Sequence, residues 1–114
     1  MSDKQRSFRV TDEVKAAFGA YANTLGMHDS ELVRVLILRE RQHCRLRKFV
    51  DAGGRISAGA SGHIKITAHF PSRDAALAFD EYASRCGVGT GRAGAWIIEQ
   101  ELREHWFEAV LAAA

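Results

Sequence analysis

Proline and cysteine are scarce in this chain of 114 residues, which has one proline, Pro71, and two cysteines, Cys44 and Cys86. The cysteines lie far apart and without C-x-x-C spacing, so neither a zinc site nor a disulfide framework is indicated. No apolar run approaches the length of a membrane span, and the polar stretch "MSDKQRS" lacks the apolar core of a signal peptide. We therefore expect a cytoplasmic protein with buried thiols, no metal site and no membrane association.

A large excess of charge of one sign is also missing, because 16 Lys and Arg stand against 14 Asp and Glu. The net charge of +2 is too small to identify a nucleic-acid binder by itself. The excess is uneven: residues 1–52 hold ten basic and seven acidic residues, and residues 53–114 hold six and seven. A chain of this length forms one domain, residues 1–114, so any internal duplication has to share one core.

The first half begins with a short strand and a helix. In "KQRSFRV", Phe8 and Val10 alternate with polar residues, as in a strand with one buried face. Thr11 is a good N-cap for the helix that follows, and Gly26 ends that helix. Between them an apolar stripe recurs at helical spacing. Its members are Val14, Ala17, Phe18, Tyr21, Ala22 and Leu25.

A second helix starts near "HDSE" and carries "LVRVLILRE", which is apolar on most sides and predicts burial. It continues through the basic run Arg39 to Lys48, which we interpret as a solvated helix face. The first motif thus covers residues 4–50. Residues 51–62, "DAGGRISAGASG", are rich in Gly, Ser and Ala and predict a flexible linker.

Residues 63–112 repeat the order of the first half. "HIKITAHF" alternates apolar and polar residues up to Pro71, which closes the strand. Ser72 can cap the next helix, and Gly87 falls where Gly26 fell. A last helix starts near Thr90, the expected N-cap, and runs through "AWIIEQELREHWFEAVL". The predicted order is strand, helix, helix, linker, strand, helix, helix.

The strand-to-helix junction "SFRVTDEV" and the turn into the second helix, "LGMHDSELVRVLI", resemble the ribbon-helix-helix family of DNA-binding proteins, such as the Arc and MetJ repressors. In the second half "AHFPSRDA" is similar to the family, whereas "GVGTGRAGAWII" has Gly91 and Arg92 in place of the usual Ser-Glu pair. The resemblance implies a mainly α fold with a two-stranded antiparallel β-ribbon. Two motifs in one chain imply an intramolecular pseudo-dimer, a layout similar to TraY-type proteins of conjugative plasmids.

The resemblance further implies that outward residues of the ribbon contact bases in the major groove of double-stranded DNA, without a cofactor. These residues are Gln5, Ser7, Arg9, Lys65, Thr67 and His69. Arg9 and Lys65 suit guanine, and Gln5 suits adenine. Because the two triplets differ, we expect an asymmetric or imperfect DNA site. A solvated strand face is the alternative interpretation, and His69 is either protonated near phosphates or a neutral hydrogen-bonding ring.

Phosphates are expected at the N-terminus of each second helix, where free N–H groups and the helix dipole favour an anion. The candidate contacts are His28, Ser30, Gly89, Thr90, Gly91 and Arg92. Asp29 and Glu31 bring negative charge to the first of these termini, so we expect the second to bind phosphate more strongly. The basic run of the first half has contact with flanking DNA as its alternative interpretation.

Several roles stay open at this point. If the protein binds DNA, the two candidate roles are a transcriptional regulator and a relaxosome accessory factor at an origin of transfer. The candidate partners are a further copy of the protein on an adjacent site and a relaxase or other relaxosome protein. An antitoxin-type protein-interaction module is an alternative.

Gly89, Gly91 and Gly94 have G-x-G-x-x-G spacing, which suggests a nucleotide-binding enzyme. A helix rather than a strand precedes them, and no nucleophile and base are evident, so we expect no enzymatic activity. Gly94 instead falls inside the last helix, where its cost predicts close packing.

Overall fold

Two strands that are distant in the chain pair to form an antiparallel ribbon. The computed structural model describes residues 3–59 and 62–113. Strand β1 spans Gln5–Val10 and strand β2 spans Ile64–His69. Their register places Ser7 opposite Thr67 at the middle of the ribbon. The pairing satisfies the backbone groups on the facing edge of each strand.

Six helices in the described residues surround the ribbon: α1 (Asp12–Thr24), α2 (Asp29–His43), α3 (Arg45–Asp51), α4 (Arg73–Arg85), α5 (Thr90–Glu104) and α6 (Trp106–Ala113). The predicted mainly helical fold with a two-stranded antiparallel ribbon is confirmed. The predicted order, with two helices in each half, is wrong. A third helix follows in each half, so the order is β-α-α-α-β-α-α-α, and α3 ends inside the segment predicted as linker.

Each extra helix arises from a break at a single residue. Cys44 and His105 adopt left-handed backbone conformations, with φ of 51° and 50°. Their N–H groups close the preceding helices by donating to the carbonyl oxygens of Glu40 (2.7 Å) and Glu101 (2.8 Å). Neither break has the glycine or proline that would mark it in the sequence, so the sequence predicts one continuous helix in each half.

Two buried glutamates hold the chain after these breaks. The carboxylate of Glu40 accepts hydrogen bonds from the Leu46 N–H (2.7 Å) and the Tyr82 hydroxyl (2.6 Å). The carboxylate of Glu101 accepts from the Phe107 N–H (2.8 Å) and, in the same way, from the hydroxyl of Tyr21 (2.7 Å). Each carboxylate thereby caps a new helix and links the two halves of the chain. Burial and the hydrogen bonds to the glutamates raise the pKa of both tyrosines.

One hydrophobic cluster contains side chains from both halves of the chain. The inward face of the ribbon supplies Phe8, Val10, Ile66 and Ala68, all fully or almost fully buried. Helix α2 packs against β2, and α5 packs against β1. Since α5 belongs to the second half and β1 to the first, the halves interlock rather than forming separate cores.

Local turn and cap predictions are largely confirmed. The Thr11 hydroxyl accepts a hydrogen bond from Val14 N (3.2 Å), and Ser72 caps α4 in the same way. The N-cap of α5 is Gly89, so the prediction of Thr90 as the cap is wrong, and Thr90 is the first helical residue. Gly94 is buried, and a Cβ built on it would lie 2.2 Å from the Phe8 ring, which confirms the close packing predicted for this glycine.

The described part of the predicted linker packs against the body of the protein. Residues 60 and 61 of that segment lie outside the described residues. Ala58 is buried, and Ile56 is partly buried against the core. A Cβ on Gly62 would lie 2.6 Å from Val10 N, so the chain passes very close to β1 there. Among the residues described, none of the helices combines the length and apolar character needed to cross a bilayer.

We expect Glu101→Ala to lower the free energy of unfolding by about 3 to 5 kcal/mol in urea titrations, because it leaves a buried N–H, a hydroxyl and the Arg45 guanidinium without their carboxylate. Glu104→Ala is the matched control. Glu104 also faces Arg45 (3.6 Å) but is about half exposed, so its removal should cost less than about 1 kcal/mol. Equal losses for the two variants would contradict the capping role of Glu101.

Candidate nucleic-acid interface

The outward face of the ribbon is polar along its whole length. Strand periodicity places alternate residues on this face, opposite the buried apolar ones. The structure brings together there all six residues predicted to contact bases. They are Gln5, Ser7, Arg9, Lys65 and His69, which are exposed, and Thr67, which is partly buried.

These side chains form three pairs across the ribbon. Ser7 Oγ lies 2.9 Å from Thr67 Oγ1. At one end Gln5 Nε2 lies 3.1 Å from Nδ1 of His69. Each hydroxyl and the amide can still form further hydrogen bonds.

At the other end of the ribbon two cations stand opposite each other. The register pairs Arg9 directly with Lys65. Like charges at such a position destabilise a ribbon. Within residues 3–59 and 62–113 neither side chain makes an ion pair with a carboxylate. This end of the ribbon therefore presents positive charge that an external anion or hydrogen-bond acceptor can neutralise.

The N-terminus of α5 adjoins the ribbon. A groove lined by Ser7, Arg9, Gly59, Gly91 and Arg92 connects the two. A Cβ built on Gly89 or Gly91 would meet no atom within 4 Å, so the backbone is open to solvent there. The first N–H groups of a helix have no partner within the helix and point along its axis. The groove thus brings predicted base and phosphate contacts to one surface.

Thr90, also predicted to contact phosphate, has its hydroxyl engaged elsewhere. The hydroxyl donates to Asp80 Oδ1 (3.1 Å), and the guanidinium of Arg6 donates to both carboxylate oxygens of Asp80 (2.9 and 2.7 Å). The hydrogen bonds from Arg6 hold the pKa of Asp80 below its usual value, and Asp80 raises the pKa of Arg6. Only the backbone N–H of Thr90 is left for a phosphate.

The Arg6–Asp80 pair is not among the contacts predicted from the sequence. The signal was available, because Arg6 shares its side of the strand with Phe8, and a charged residue on an inward face needs a partner. The identity of that partner is not visible in the sequence, since Asp80 lies in α4, far along the chain.

The N-terminus of α2 differs from that of α5. His28 is its exposed N-cap, and Ser30 is partly buried in the first turn. The two acids predicted to repel phosphate both have partners. Asp29 makes an ion pair with Lys15 (2.6 Å), and Glu31 accepts a hydrogen bond from His28 N (3.1 Å). Their charge is partly compensated, but the N–H of His28 is occupied.

The glycine motif does not form an open loop. Gly89 and Gly91 lie at the start of α5, whereas Gly94 is buried beneath Phe8. The element before it is helix α4, as predicted. In the part of the chain that the structure describes, no group of three or more His, Cys, Asp or Glu side chains is placed to hold a metal ion.

Comparisons of the chain with protein-family models, with curated proteins and with solved structures find no match.

Proposed function

We propose that this protein binds double-stranded DNA sequence-specifically by inserting its β-ribbon into the major groove. The observation that carries the proposal is the outward ribbon face, which carries six polar side chains. Within residues 3–59 and 62–113, the opposed Arg9 and Lys65 on this face make no ion pair with a carboxylate. A two-stranded ribbon fits the major groove of B-DNA, which is about 12 Å wide. A strand face that contacts only solvent gains nothing from two cations directly opposite each other, because like charges at such positions destabilise the ribbon.

The two halves act together as an intramolecular pseudo-dimer in this proposal. Matching contacts support it: Tyr21 donates to Glu101, and Tyr82 donates to Glu40. Each contact joins one half to the other at the start of a third helix. Helix packing also crosses between the halves, because α2 of the first half packs on β2 of the second, and α5 of the second half packs on β1 of the first.

Base reading follows from the chemistry of the ribbon residues. Arg9 and Lys65 donate to guanine O6 and N7, and Gln5 forms paired hydrogen bonds with adenine. Ser7 and Thr67 adapt to either donor or acceptor. Since the strands present different triplets, the DNA site is asymmetric or imperfectly repeated.

Phosphate binding is stronger at α5 than at α2. Arg92 and the open backbone of Gly89 and Gly91 lie beside the ribbon. The start of α2 carries Asp29 and Glu31 and has one N–H already bonded. The helix dipole favours an anion at both ends, so the difference comes from the side chains.

The biological role is a transcriptional regulator or a relaxosome accessory factor at an origin of transfer, since both use the same ribbon. Candidate partners are a second copy on an adjacent DNA site and a relaxase or another relaxosome protein. An antitoxin-type interaction module is the alternative. The nucleotide-loop alternative is weakened because Gly94 packs against Phe8 and cannot approach a ligand.

We expect Arg9→Ala to weaken binding to a duplex selected from a random pool by about 1 to 3 kcal/mol, or roughly 5- to 150-fold in Kd at fixed salt. The loss should be confined to duplexes that keep one particular guanine. Arg103→Ala, an exposed arginine in the last turn of α5, is the matched control and should leave the Kd unchanged. Equal effects of the two changes would show that charge alone drives binding.

Arg92→Ala should reduce the slope of log K against log salt by about 0.9, because one phosphate contact is lost. It should leave the sequence preference intact. Ser30→Ala, in the first turn of α2, should change the slope less. Equal and negligible changes in both slopes would exclude a phosphate clamp at α5, and a larger change for Ser30→Ala would reverse the proposed order.

A further inference from the structure

Equivalent positions in the two halves are defined by the contacts they share. Ser7 and Thr67 face each other at the ribbon centre, Thr11 and Ser72 cap the first helices, and His28 and Gly89 cap the second. Counted from these points, Phe8 corresponds to Ala68 and Val33 to Gly94. Arg6 corresponds to Ile66, Gly19 to Asp80, and Arg45 to Trp106.

The first difference between the halves is one of size. The Phe8 ring occupies the space that a side chain at position 94 would need, since a Cβ there would lie 2.2 Å from it. The equivalent positions hold Ala68 and Val33, both fully buried. In one pair of positions the strand residue is large, Phe8, and the helix residue is glycine, Gly94. In the equivalent pair the strand residue is small, Ala68, and the helix residue is valine, Val33. Cores tolerate such exchanges only when the total volume is kept.

The second difference is one of charge. Arg6 of the first half binds both carboxylate oxygens of Asp80 of the second half. The equivalent positions hold Ile66 and Gly19, which have no charge to pair. This ion pair exists only where β1 meets α4.

The third difference lies at the helix breaks. The Arg45 guanidinium lies 4.9 Å from the ring centre of Trp106, its own equivalent, and also pairs with Glu101 at 3.2 Å. The Trp106 ring is in edge contact with His43, at 4.7 Å between centroids. Two first halves would therefore place one Arg45 against another, and the cation–π contact would be lost.

We propose that each half of this chain is built to pair with the other half and to reject a copy of itself. Two first halves would set Phe8 against Val33 and leave Arg6 facing Gly19. Two second halves would leave a void between Ala68 and Gly94. A second copy of the chain is accepted as a partner only by exchanging a first half for a second half. Every ribbon then contains one strand of each kind, whatever ligand it binds.

Two full-length double variants test this proposal, and both contain Gly94→Val. Phe8→Ala with Gly94→Val repeats the combination already present as Ala68 and Val33. Ala68→Phe with Gly94→Val makes both sides resemble a pairing of two first halves. We expect Phe8→Ala with Gly94→Val to unfold at a higher urea midpoint than Gly94→Val alone. We expect Ala68→Phe with Gly94→Val to unfold at a lower midpoint than Gly94→Val alone, or to fail to fold.

A mixture keeps the test informative if Gly94→Val alone does not fold. Full-length Phe8→Ala and Gly94→Val chains are refolded together from denaturant and analysed by native mass spectrometry. In a two-chain species that exchanges halves, the shortened side chain at position 8 of one chain would meet the enlarged side chain at position 94 of the other. The remaining pair would be the natural one, Phe8 against Gly94. We therefore expect a folded species containing one chain of each kind.

Two results would overturn the proposal. One is additive losses of stability in Phe8→Ala with Gly94→Val, and the other is a refolded mixture that yields no folded species containing both kinds of chain. Neither readout uses DNA, so failure of this proposal is separate from failure of DNA binding.

Discussion

The antiparallel pairing of β1 with β2 sets the positions of both the core and the outward polar face. Either strand alone would expose its backbone groups, and the partner comes from the opposite half of the chain. Once the strands pair, their apolar faces lie together and the helices of both halves cover them. The same pairing places the polar residues of both strands on one outward face. Core formation and the candidate DNA surface therefore result from a single register.

Different interactions hold the third helices and the ribbon in place. Buried carboxylates at Glu40 and Glu101 receive a tyrosine hydroxyl from the other half and cap the third helices. Nearer to the ribbon, Arg6 and Asp80 form a partly exposed ion pair that also receives the Thr90 hydroxyl. This pair joins β1 to the start of α5. The outward ribbon face is thus fixed to the helix that we propose to hold phosphate.

The sequence predicts the features that depend on neighbouring residues. Local periodicity and side-chain chemistry predict the alternation in both strands, the caps at Thr11 and Ser72, and the six residues on the outward face of the ribbon. The breaks at Cys44 and His105 do not, because neither residue is glycine and each break relies on a buried glutamate. The partner of Arg6 and the packing of Gly94 under Phe8 depend on elements brought together only by folding.

Chemical probing of the major groove tests most sharply whether the ribbon binds there. A duplex selected by the protein from a random pool is treated with dimethyl sulfate, which methylates guanine N7 in the major groove, with and without the bound protein. If the ribbon enters the major groove, guanines at the centre of the bound site are protected, and binding is lost when they are methylated beforehand. Binding that leaves these guanines reactive, or that is blocked only by a ligand of the minor groove, would contradict it.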